Sequence, residues 1–68
     1  MMEIDARGLS CPEPVLMVRK SIKADENEYL VRVDNPAAYE NATRFLENQG
    51  FLVTALKNGA EYTLKAVR

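Results

Sequence analysis

The chain contains no histidine and no tryptophan, and only one cysteine, Cys11. Without histidine it has no Cys-His catalytic pair and none of the imidazole ligands that zinc and copper sites commonly use. One cysteine excludes an internal disulfide, a Cys-x-x-Cys redox pair and a cysteine-cluster zinc site, and it fits a reducing compartment. No metal or cofactor is expected, and any second thiol or base that works with Cys11 must come from another molecule. There is no apolar run long enough to span a bilayer, no signal peptide and no low-complexity tract. The expectation is a cytoplasmic protein without a membrane partner. Nine basic residues against ten acidic ones give a formal charge of −1. Affinity for a phosphate backbone comes mostly from clustered cations, so direct nucleic-acid binding is not expected. Sixty-eight residues, 47% of them apolar, suffice for one small core near the lower limit for a domain without staples. We expect a single domain over residues 1–68, acting as a monomer.

Proline is scarce, and two of the three prolines stand beside the cysteine, in Cys11-Pro12-Glu13-Pro14. In the first turn of a helix the backbone N–H has no intrahelical acceptor and φ near −65° is already helical, so Pro12 suits the first helical position and Pro14 is tolerated after it. This predicts that Cys11 stands at or beside the N-cap of a helix running to about Lys23. Partial positive charge at a helix start favours an anion, so the thiol there ionises more readily than the ~8.5 of a free cysteine. Pro12 and Pro14 each remove an N–H donor, and Glu13 adds an opposing charge, so the activation is moderate. The plainer alternative is a cysteine packed as a small hydrophobe. Gly8 and Leu9 favour the reactive reading: Gly8 permits a φ-positive entry, Leu9 can bury, and Ser10-Cys11 is left as a raised shoulder. Leu9 and Val15 have roughly the spacing of a hydrophobic staple.

The run Asp5-Ala6-Arg7-Gly8-Leu9-Ser10-Cys11-Pro12-Glu13-Pro14-Val15 resembles the N-terminal signature of the TusA/SirA/YedF family of small sulfur carriers, with its Cys-Pro-x-Pro motif. Asp34-Asn35-Pro36-Ala37 is more similar to the first domain of the YedF branch than to the tRNA-thiolation carriers, which usually have Asp-Asp-Pro-Ala there. The resemblance implies a two-layer α/β sandwich in which Cys11 accepts a persulfide sulfur. Implied partners are a cysteine desulfurase or other persulfide donor, and a downstream acceptor protein in tRNA thiolation, cofactor or selenium metabolism. The chain would be a sulfurtransferase-like carrier working with partner enzymes. Gly8, Pro12 and Pro14 would shape the approach to Cys11, while Arg7, Glu13 and Arg19 are candidates for tuning or docking. The competing reading is a non-catalytic binding or regulatory module, either free-standing or the N-terminal domain of a longer YedF-like protein.

Elsewhere the pattern is regular. Met2, Ile4 and Ala6 alternate with polar residues as in a half-buried strand, and Tyr29, Val31 and Val33 do the same. The first helix should bury Val15, Val18 and Ile22, with Leu16 beside them. Its cations Arg19, Lys20 and Lys23 read first as a solvated face that complements the helix dipole; the alternative is that Arg19 and Lys20, with Arg7, form a docking patch for acidic partners. Asn35 is a good N-cap with Pro36 at the first helical position. Ala38, Ala42, Phe45 and Leu46 form one buried face, and Gly50 suits the left-handed stop, with Phe51 folding back on Leu46. Asn58-Gly59 reads as a type I′ hairpin loop. That loop would pair Ala55 with Tyr62, Val53 with Leu64 and Phe51 with Ala66 on the core face, leaving Leu52 and Leu56 on the other. Of the aromatics, Tyr39 is expected outside. The predicted order is βαβαββ, a two-layer α+β sandwich with two helices on one face of a mixed four-stranded sheet.

Overall fold

The structure, a computed structural model, describes residues 2–9, 13–24 and 26–68. Strand β1 is Met2–Asp5, helix α1 is Glu13–Ser21 followed by a 3-10 turn at Ile22–Ala24, β2 is Glu28–Val33, α2 is Pro36–Asn48, β3 is Leu52–Asn58 and β4 is Glu61–Val67. The sheet order is β1-β2-β4-β3. β1 runs parallel to β2, while β4 is antiparallel to both of its neighbours. β1, β2 and β3 therefore share one direction, and β4 is inserted between β2 and β3 as in a split βαβ unit. This is the predicted βαβαββ sandwich.

β2 is central because its alternation is complete. Tyr29, Val31 and Val33 are fully buried and their intervening neighbours are not, as expected for aromatic and β-branched side chains on the covered face of a pleat. Ile4 and Ala6 beside them and Leu64 and Ala66 across from them complete the sheet's side of the core. The helices supply Val18, Ala38, Ala42 and Leu46, and Phe51 closes the end. The Phe51 ring meets Tyr29 edge-on, with centroids 5.5 Å apart.

α2 begins and ends as its sequence dictates. The side chain of Asn35 accepts the Ala38 N–H at 2.8 Å, and Pro36 opens the helix. At the other end Gly50 has φ +91, its N–H donates to the Glu47 carbonyl, and the Phe51 N–H reaches back to the Leu46 carbonyl. These two bonds define a Schellman stop, and Phe51 and Leu46 both lie in the core.

Four expectations change. In α1 the buried stripe is Pro14 and Val18, with Met17 and Ile22 half-buried against the core, whereas Val15 is only half-buried and Leu16 is 46% exposed. A first-turn proline lacks no needed donor, so its compact ring can face the core. In the hairpin, Asn58 pairs with Glu61, leaving Gly59-Ala60 as the loop, and Ala55 opposes Leu64 while Val53 opposes Ala66. Gly59 has φ +65, so the residue that needs a left-handed conformation sits first in the loop. The register is displaced by two residues, one full strand period, so the face of each residue is unchanged. Ala55 nevertheless stays exposed, because β3 is an edge strand. Tyr39 is half-buried, stacked on Tyr62 at 4.6 Å with 6° between the rings.

Tyr29 also satisfies two backbone groups near the 3-10 turn. Its hydroxyl donates to the Ile22 carbonyl at 3.2 Å and accepts the Glu26 N–H at 3.0 Å. We predict that Tyr29→Phe lowers stability by about 1–2 kcal/mol in urea unfolding, through the polar groups left without that partner. An unchanged midpoint would show that these bonds contribute nothing.

Candidate functional site

In a parallel pair of strands both C-terminal ends face the same side of the molecule, and the loops that follow them are neighbours. β1 and β2 are such a pair, with Asp5 opposite Arg32. Pairing continues one residue beyond β1, because the fully buried Ala6 donates its N–H to the Arg32 carbonyl at 2.8 Å. The chain then turns away from the sheet at Arg7 and Gly8.

Both residues are held. Arg7 Nε and Nη2 donate to the two Asp5 carboxylate oxygens at 2.8 Å each, a bidentate pair, and Nη1 donates to both Glu61 oxygens at 3.3 Å. The Arg7 N–H also donates to Asp5 Oδ1 at 3.2 Å. The Gly8 N–H donates to Asp34 Oδ2 at 2.8 Å, and Gly8 adopts φ +76. A Cβ added at Gly8 would meet nothing within 4 Å. Glycine is therefore required there by backbone conformation alone. Leu9 follows, half-buried against the core. Cys11 and Pro12, the centre of the predicted site, lie outside the described residues. α1 resumes at the exposed Glu13 and the buried Pro14.

Among the described residues, two grooves flank α1. The smaller, about 280 Å³, is lined by Leu9, Glu13, Leu16, Met17 and Lys20. The larger, about 720 Å³, is lined by Arg19, Ile22, Lys23, Phe45, Gln49 and Arg68. The structure thus brings Glu13 and Leu9 together but sends Arg19 to the other groove. Arg7 belongs to neither, its guanidinium being engaged by carboxylates. Of the cations Arg7, Arg19 and Lys20 expected to form a patch, Lys20 lines the smaller groove, Arg19 the larger and Arg7 neither.

Asp34 and Glu61 were missed as partners of the loop. Sequence gives no sign of a bond across 26 or 54 residues; the nearest signal for Asp34 is its position before the Asn35-Pro36 helix start. Among the described residues no group of histidine, cysteine, aspartate or glutamate side chains could hold a metal ion, and no helix is long and apolar enough to cross a membrane.

The ion pair shifts both of its members. Hydrogen bonds from the Arg7 side chain, then its backbone N–H, hold the Asp5 carboxyl down at about 2, and the same carboxylate raises the Arg7 guanidinium further above its ordinary value.

Fold and loop together define a small split-βαβ sandwich whose cysteine segment lies between the first strand and the first helix. A model of the family "Sulfurtransferase TusA" matches residues 2–67, and the chain belongs to that family. Among solved structures, the SirA-like protein of Desulfitobacterium hafniense is 30% identical, superposes with a TM-score of 0.85, and is matched over 98% of this chain and 96% of its own.

Two predictions follow from the anchored loop. The folded Asp5 carboxyl titrates near 2 against an ordinary 3.8, so its contribution is complete above about pH 4 and is lost as pH falls toward 2. The stability difference between wild type and Asp5→Asn, measured by urea unfolding, should be constant above pH 4 and shrink below it; a difference independent of pH would contradict the pairing. Gly8→Ala should cost about 1–2 kcal/mol, the strain of a Cβ in left-handed backbone, and no loss in the same assay would mean that the loop adopts another conformation.

Proposed function

We propose that the protein is a sulfur-relay carrier that receives a sulfane sulfur on Cys11 and delivers it to an acceptor protein. The observation that carries this reading is the family match over residues 2–67, which spans the Cys11-Pro12-Glu13-Pro14 segment and its only thiol. The architecture supports it, because the chain leading to Cys11 is anchored at Arg7 and Gly8 and the helix that follows is seated by Pro14.

In the transfer step the Cys11 thiolate attacks the terminal sulfur of a donor persulfide, of the kind a cysteine desulfurase carries. A new sulfur–sulfur bond forms as the donor's breaks, and the donor's thiolate leaves with the electron pair. The persulfide on Cys11 is then attacked at its outer sulfur by the acceptor nucleophile, regenerating the Cys11 thiolate. Neither step has a net oxidant or reductant. With no second cysteine in the chain, the persulfide cannot be lost as an internal disulfide.

In this reading Pro12 and Pro14 shape the helix start and Gly8 sets the entry. Arg7 acts by fixing the loop, Glu13 borders the reactive segment, and Arg19 with Lys23 offers charge to an acidic partner surface. The carrier works in the cytoplasm as a monomer that meets donor and acceptor in turn, supplying tRNA thiolation, cofactor assembly or selenium metabolism.

The test is intact-protein mass spectrometry after incubation with a cysteine desulfurase and free cysteine. The wild type should gain the mass of one sulfur atom, removed by a reducing thiol, and Cys11→Ser should gain none. A wild type that stays unmodified, or a serine variant that gains the same mass, contradicts the proposal.

A further inference from the structure

Strand β3 lies at one edge of the sheet, and no strand among the described residues pairs with its outer side. Its register with β4 runs without interruption from Leu52 opposite Val67 to Asn58 opposite Glu61. A two-residue hairpin loop is closed by a hydrogen-bonded pair, and bonded and non-bonded pairs then alternate along an antiparallel ladder. Leu52, Thr54, Leu56 and Asn58 therefore turn their backbone groups toward β4, while Val53, Ala55 and Lys57 turn theirs outward. No proline interrupts that outward row.

Natural sheets protect an edge with a short strand, charges or proline. The opposite edge follows that rule: β1 has four residues, and its Glu3 and Asp5 are paired with Arg32 and Arg7. β3 does not. Over seven residues it has a single charge, Lys57, near the hairpin end, and its open face carries Leu52 and Leu56, 76% and 69% exposed. On the other face Ala55 is exposed as well, so the helix layer stops short of it. The outward N–H and C=O groups match another extended backbone, and the side chains on the two faces set what that strand must carry. We propose that β3 is a docking edge that takes an extended segment of a partner protein as a fifth strand of the sheet. The segment has apolar side chains opposite Val53 and Ala55 and beside Leu52 and Leu56, and a carboxylate opposite Lys57. A second copy of the chain supplies no such carboxylate from this edge, because Leu52–Asn58 contains no acidic residue. The inference goes beyond sulfur relay and does not depend on it.

The probe is a blocked peptide, Glu-Leu-Val-Thr-Val-Leu with a neutral ethylene glycol tail, whose antiparallel pairing sets the glutamate opposite Lys57. Titrated into the full chain and followed by amide NMR, it should bind saturably and slow the exchange of the Val53, Ala55 and Lys57 amides. Replacing its glutamate by lysine should weaken binding at least about threefold, since like charges directly opposite repel. Ala55→Pro removes the central outward N–H at a position where an edge strand tolerates proline, and should abolish binding. No saturable binding up to about 1 mM, protection of other amides in place of these three, or equal affinity of the lysine peptide or of Ala55→Pro overturns the proposal. If Ala55→Pro does not fold, the double variant Leu52→Thr/Leu56→Thr decides: weaker binding supports the docking edge, and an unchanged affinity overturns it. A wild type that dimerises before peptide is added, with those three amides already protected, assigns the edge to a second copy and overturns it too. Sulfur loading plays no part in these readouts.

Discussion

Parallel pairing between Met2–Asp5 and Tyr29–Arg32 constrains nearly everything else in the molecule. Parallel neighbours cannot be joined by a tight turn, so the chain must cross over the sheet, and α1 makes that crossing. The same pairing puts the ends of β1 and β2 side by side. Gly8 thereby comes within hydrogen-bonding distance of Asp34, although the two are 26 residues apart in sequence. What holds the pair in place is the buried face of β2, where Tyr29, Val31 and Val33 have no exposure and each fills space beneath the helices.

Apolar burial and charge have separate tasks here. The core is aliphatic and aromatic, with no charged side chain buried among the described residues. The ion pairs Arg7–Asp5, Arg7–Glu61 and Arg32–Glu3 all lie at the surface, where water screens them and their contribution to stability is small. Their geometry still matters. A bidentate guanidinium–carboxylate pair fixes orientation, and Arg7 is the residue from which the loop departs. The surface charges thus fix the orientation of Arg7, the residue at which the chain leaves β1.

Elements with local signals were legible in the sequence. The alternation of Tyr29, Val31 and Val33, the Asn35-Pro36 start and the Gly50 stop are each settled within a few residues, and each has the expected geometry. The hairpin was located correctly but its register was displaced by two, because Asn58-Gly59 and Gly59-Ala60 both place glycine where φ is positive and only the observed pairing of Asn58 with Glu61 separates them. Burial of Ala55 failed for a topological reason. Nothing in Leu52–Asn58 announces that β4 will take the inner place and leave β3 at the edge. Pro14 facing the core, in place of Val15, reflects a one-position rotation that apolar spacing does not resolve when both neighbours are apolar. The loop's anchors, Asp34 and Glu61, depend on contacts between distant segments and have no local signature. The family was legible in the Cys11-Pro12-Glu13-Pro14 motif, and the matching family model spans that segment.

If Cys11 is the sulfur-bearing nucleophile proposed above, its thiol should ionise more readily than that of a free cysteine. Titration of the Cys11 Cβ resonance by NMR in the unmodified wild-type protein tests it without any partner. The account predicts a midpoint below the ~8.5 of a free cysteine; a midpoint at or above that value would contradict it.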